Sequence, residues 1–256
     1  MKTWIAFLKK EYLEAARTGR LLLLLLLSAL FGIMNPALAK LTPWMMKTFA
    51  DSLAESGILV TEVSVDAMTS WTQFFKNAPI ALIAFVLLFG DTFTREYRSG
   101  TLLLALTKGL SRRRVVLAKT ILLLSLWTLS YGTCFGITYG YNAWFWDNGI
   151  ARHLFAAAAI WWLFGVWMAC LIVLFSTLLR DGTGVSLCTG GTVLAAYLLN
   201  LLPTAKAYSP ALLMDAFSLL NGSQGTEAFG KAVAVTAALC AACIAVSIPA
   251  MDKRQL

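Results

Sequence analysis

The chain has little charge. Only 13% of its 256 residues are Asp, Glu, Lys or Arg, about half the share of an ordinary soluble domain. It has one histidine, His153, and five cysteines, Cys134, Cys170, Cys188, Cys240 and Cys243, all within apolar runs. It has no Gly-x-x-x-x-Gly-Lys-Ser/Thr phosphate loop. Each absence excludes something. A lone histidine beside Arg152 does not supply the three or four ligands of a metal site. Cysteines inside apolar runs cannot staple the loops of a secreted domain. Cys240-x-x-Cys243 sits in an alanine-rich stretch with no basic neighbour to lower a thiol pKa, so it reads as packing. Without a phosphate loop the chain has no ATP site of its own. Asn221-Gly-Ser-Gln-Gly225 is only a turn.

What is abundant is apolar: 59% of the residues are hydrophobic. Uncharged runs cover Leu21 to Ala39, Thr120 to Trp146, Leu154 to Leu179, Gly182 to Ala205 and Ala232 to Met251. A shorter run, Asn77 to Gly90, extends to about 74–93 if Lys76 snorkels. A bilayer core of about 30 Å is crossed by about 20 apolar helical residues, and helices satisfy their own backbone without water. The expectation is an all-α, polytopic membrane protein with six transmembrane helices, at about 21–39, 74–93, 120–142, 154–179, 184–203 and 231–250. The segment 40–73 is then the longest outer loop. Pro36-Ala37-Leu38-Ala39 looks like a leader cleavage site, but the charged twenty residues before it read as a structured helix, so retention is expected. No Asp, Glu, Lys, Arg or His falls inside the runs, which argues against a proton-coupled carrier and an intramembrane protease.

Fifteen of the 21 basic residues fall on the side that holds both termini, against six acids, while the other side holds six bases and seven acids. The positive-inside rule makes both termini cytoplasmic. The basic balance is thus a topology signal, and no folded basic domain for nucleic acid exists.

Residues 1–20 carry Trp4, Leu8, Tyr12 and Ala15 at helical spacing, with Lys9, Lys10, Glu14 and Arg17 mostly elsewhere. This suits an amphipathic helix in the cytoplasmic interface. In the outer loop, Met46, Phe49 and Leu53 after Pro43, and then Val65, Met68, Trp71 and Phe75, suggest two short surface helices. Gly132, Gly136 and Gly140 form a smooth, small-residue face on the third span for helix packing, and Gly230, Ala234, Ala238 and Ala242 do so on the last. Tyr131, Tyr139, Tyr141, Trp144 and Trp146 suit an aromatic belt.

The segment 94–119 is the most informative. Glu96 lies in a charged tract, Gly100-Thr101 breaks one helix and starts another, Leu102 to Leu106 is an apolar ridge, and Ser111-Arg112-Arg113-Arg114 is basic. A ridge of Leu102, Leu103 and Leu106 needs a partner surface or the membrane interface.

This segment resembles that of the membrane subunits of type-2 ABC exporters. The resemblance is carried by Glu96, Gly100, Thr101, Leu102 to Leu106, Thr107, Ser111, Arg112 and Lys119, with Lys108-Gly109-Leu110 replacing the family's usual proline turn. It implies that residues from Glu96 to about Leu106 hold a coupling helix seated in a groove of a separate ATPase, with Ser111 and Arg112 in the following turn. It also implies an N-terminal elbow helix at 1–20, two ABC ATPase subunits carrying the ATP and magnesium, and a second permease copy or homologous permease. Its place would be a cell membrane. An amphipathic compound such as a peptide, drug or lipid is the cargo expected from the uncharged interior. A membrane scaffold without transport would share the spans and the charge bias.

Overall fold

A computed structural model describes residues 2–48, 65–107 and 109–253; at 2, 104 and 105 only the backbone is described. No strand occurs among them. The helices are α1 (Lys2–Arg17), α2 (Arg20–Thr48), α3 (Ala67–Phe89), α4 (Thr94–Ser99), α5 (Thr101–Thr107), α6 (Arg112–Phe145), α7 (Leu154–Leu178), α8 (Gly182–Asn200), α9 (Pro203–Lys206), α10 (Phe217–Leu220) and α11 (Gly230–Lys253). Six of these segments, those built on α2, α3, α6, α7, α8 and α11, are long and apolar enough to cross a membrane.

Four of the spanning helices, α2, α3, α6 and α11, overrun the bounds set by charge. α2 continues through Pro36 and Pro43 to Thr48. α3 starts at Ala67, so Met68, Trp71 and Phe75 belong to this span and not to a separate surface helix. Its N-cap is Asp66, whose carboxylate accepts the Thr69 N–H at 3.0 Å. Phe49 and Leu53 lie outside the described residues. α6 begins at Arg112, a full two turns before Thr120.

α7 is the most enclosed helix, with Trp161, Phe164, Gly165, Ile172 and Val173 at the centre. It packs on α6 and α11, and α2 packs on both α3 and α6. Trp127 of α6 lies across Gly165 and donates its indole N–H to the Trp162 carbonyl at 3.0 Å. Tyr131 belongs here and not to a belt: it is buried and donates to the Ala158 carbonyl at 3.0 Å. Trp144, 83% exposed, does suit a belt position.

Between α2, α3 and α6 runs a polar seam. The Ser28 and Ser130 hydroxyls are 2.7 Å apart, the Asn35 amide donates to Thr138 Oγ1 at 3.2 Å, and Asn77 Nδ2 donates to Asn35 Oδ1 at 2.9 Å. Such interhelical bonds are worth about 0.6–2 kcal/mol each in a bilayer. They fix the rotation of three spans that are otherwise greasy all round.

The glycine face of α6 is different. Nothing among the described residues lies within 4 Å of a Cβ placed at Gly132, Gly136 or Gly140. The face does not pack against any described residue of the chain. It floors an open groove of about 290 Å³ lined by Gly136, Ile137, Gly140, Tyr141 and Trp144. Ala234, Ala238 and Ala242 of α11 are exposed too. Cys134, Cys170, Cys240 and Cys243 are buried, and Cys188 is exposed.

Candidate functional site

The chain's charge gathers at one end of the bundle. There α1 meets the start of α6, where the Trp4 indole donates to the Arg114 carbonyl at 3.1 Å. The end of α11 is adjacent, because Arg112 Nη1 donates to the Met251 carbonyl at 2.8 Å. The helix pair α4–α5 also belongs to this end, with Tyr97 donating to Met251 Sδ.

Gly100 ends α4 in the left-handed region, at φ 68°, which favours glycine. Thr101 opens α5, and its hydroxyl lies 2.9 Å from that of Ser99. The result is a sharp corner between two helices of six and seven residues. Ser111 sits at the N-cap position of α6 in extended backbone.

The corner divides the apolar ridge. Leu102 is 2% exposed and joins the core, Leu103 is 52% exposed, and Leu106 is half-buried. Sequence periodicity does not separate them, because the direction of each side chain depends on the corner at Gly100.

Glu96 does not point outward. It is buried with Glu11 and Lys119. Lys119 Nζ lies 2.8 Å from Glu11 Oε2 and 3.0 Å from Glu96 Oε2, and donates to the Thr92 carbonyl at 3.1 Å. Lys10 pairs with Glu96 and, at 2.8 Å, with Glu14. Thus α1, α4 and α6 are joined through one cluster of two lysines and three carboxylates. Burial pushes the Glu11 carboxyl above the usual carboxylate range, with Lys119 opposing. Burial would lower the Lys10 ammonium, but hydrogen bonds to Glu14 and Glu96 outweigh it and hold it above its ordinary value. The three carboxylates come close enough to resemble a metal cluster, yet the two lysines already supply the positive charge.

Further pairs extend the connection. Arg20 forks onto Asp91 at 2.7 and 2.8 Å, tying α2 to the end of α3. Arg98 of α4 pairs with Asp181, the N-cap of α8, whose carboxylate the Gly184 N–H helps to hold below the usual range. The ion pairs among the described residues all lie at this end. Gly182 fits against Asp91, whose Cβ would lie 2.7 Å from an added Cβ, so the start of α8 is wedged into the same joint. Of the residues singled out from sequence, Glu96, Gly100, Thr101, Leu102, Leu103, Leu106, Ser111 and Arg112 thus share one end. Lys10, Glu11, Asp91 and Asp181 were missed. Lys10–Glu14 and Asp91–Arg95 are local pairs, but the contacts that join separate elements, Lys10–Glu96, Glu11–Lys119, Arg20–Asp91 and Arg98–Asp181, reach 71 positions or more along the chain, and no local pattern marks those.

The fold and this end define a class: a six-span membrane protein with a short helix pair clamped by ion pairs onto its spans. Over residues 5–229 the chain matches the family model described as ABC-2 family transporter protein, and it belongs to that family. It is a transmembrane permease of an ABC transporter. It is 21% identical over 240 residues, 90% of each chain, to the uncharacterized transmembrane protein YxlG of Bacillus subtilis (strain 168). No solved structure matches it.

Proposed function

We propose that α5 is the coupling helix, that a separate ABC ATPase docks on it, and that the complex exports an amphipathic compound. The observation that carries this is the pairing of an exposed apolar contact, Leu103, with a clamped base, Glu96. A leucine at a short helix near the corner suits a groove in a partner. A base held by Lys10 and Lys119 passes a push to α1 and α6, and Arg98–Asp181 passes it to α8. Packed helices of this kind shift as rigid bodies between a few states. Glu96 acts as a positioning residue: it is buried inside the joint and does not face the partner.

In this reading α1 is the elbow helix, both termini are cytoplasmic by the positive-inside rule, and the chain sits in a cell membrane. Two ATPase subunits, binding ATP with magnesium, serve a pair of permeases. A second permease copy, or a homologous one, covers the open glycine face at Gly132, Gly136 and Gly140, where close backbone approach favours helix pairing. The absence of charge inside the apolar runs suits a cargo that is part lipid-soluble.

Gentle-detergent purification of the tagged chain from its host, with mass spectrometry and an ATPase assay, tests the reading. The wild type is expected to carry a stoichiometric ATP-binding partner. Leu103→Asp is expected to lose it at least tenfold while the chain keeps its melting temperature, since Leu103 is exposed. A lone chain, or equal retention by both, overturns the proposal.

A further inference from the structure

α1 has two unlike faces. Phe7, Glu11 and Ala15 are buried against the bundle. On the opposite face, at successive steps of four residues, stand Ile5, Lys9, Leu13 and Arg17, and all four are exposed. Ile5 is 56% and Leu13 43% exposed, so apolar and cationic side chains alternate along one stripe. Its cations differ from the neighbouring cluster. Lys10 and Lys119 are matched by Glu11, Glu14 and Glu96, whereas neither Lys9 nor Arg17 is ion-paired to a described residue.

Two further observations say what covers the stripe. Past the turn at Gly19, the exposed Leu22, Leu23 and Leu26 of α2 begin the apolar flank of the first span. The stripe therefore leads, through one turn, into the exposed apolar flank of a helix long enough to cross a membrane. At its other end the Trp4–Arg114 contact brings in the start of α6, where Arg113 and Arg114 are exposed. A run of leucine-type residues flanked by cations with no ion pair to a described residue matches the boundary between acyl chains and phosphate: the apolar side chains enter the hydrocarbon and the cations reach the headgroups.

We infer that the outer stripe of α1, Ile5-Lys9-Leu13-Arg17, is a binding surface for anionic phospholipid of the leaflet on that side, with the lipid phosphate held by Lys9 and Arg17. The charge complementarity commits it to lipids of net negative charge. A zwitterionic headgroup offers the same phosphate with its charge already balanced.

Native mass spectrometry of the purified full chain tests this in mixed micelles holding equal phosphatidylglycerol and phosphatidylcholine with identical acyl chains. The wild type is expected to retain phosphatidylglycerol over phosphatidylcholine. Lys9→Gln with Arg17→Gln is expected to cut that preference about tenfold or more, each cation near a charged surface being worth roughly a factor of five. Arg180→Gln with Lys253→Gln removes equal charge from exposed positions at the same end, and is expected to cut it less than threefold. Equal retention of the two lipids by the wild type overturns the inference. So does a loss in the control pair that matches the loss in the Lys9 and Arg17 pair.

Discussion

Replacing Lys119 with methionine is expected to destabilise the protein more than any other single change at the charged end. Lys119 is 1% exposed and sits between the carboxylates of Glu11 and Glu96, each 3% exposed. Removing one member of a buried ion cluster costs about 3–5 kcal/mol, because the remaining charge is left buried and unpaired. Here two carboxylates lose a shared cation, and Lys10 alone remains close to them. The melting temperature in detergent should fall steeply, or the folded yield should collapse. Adding Glu11→Gln to Lys119→Met removes one of the orphaned charges and should recover a substantial part of the loss. A full loss in the double variant, or a negligible one in the single, would show that the cluster does not hold α1, α4 and α6 together.

Gly165→Ala is the second large effect. An alanine Cβ at this position would lie 2.1 Å from Cε2 of the Trp127 indole, which is 1% exposed and held by its hydrogen bond to the Trp162 carbonyl. A rigid ring enclosed on both sides cannot give way as a flexible side-chain tip would. Overpacking a tight core costs about 1–3 kcal/mol and sometimes more, so a fall of roughly 5–10 °C in melting temperature is expected. Trp127→Leu in the same chain should make Gly165→Ala much less costly, since contacting residues couple. Gly136→Ala provides the contrast. Its Cβ meets nothing within 4 Å among the described residues, and the stability of the isolated chain should not fall, since alanine is the better helix former.

The two glycines show what sequence carries and what it does not. The spacing of Gly132, Gly136 and Gly140 reveals a smooth face but not what lies against it; among the described residues the face is open, while Gly165, in no repeating pattern, is a glycine that the core requires. The six spans are legible because a bilayer demands uncharged length, and that demand is written locally in composition. Their ends are less so. Pro43 reads as the opening of a separate surface helix, yet α2 runs through it as it does through Pro36, since a proline in a long membrane helix loses little that its neighbours cannot supply. Lys119 looks like the boundary of a span because charge normally meets water. It is buried because Glu11, 108 positions away, and Glu96 meet it there, a pairing that no window along the chain contains. The Gly100 break was readable for a local reason, since glycine alone tolerates the left-handed turn at little cost. The split of the ridge into buried Leu102 and exposed Leu103 follows from that turn and from the packing around it.

The docking of an ATPase on α5 is tested most directly by placing a photo-crosslinking residue at position 103 in the full chain and irradiating intact cells. The expected product is a single major adduct between this chain and a protein carrying an ATP-binding cassette, absent when the same residue stands at Leu187, an exposed position on α8. An adduct with no such protein, or equal adducts from both positions, would contradict it.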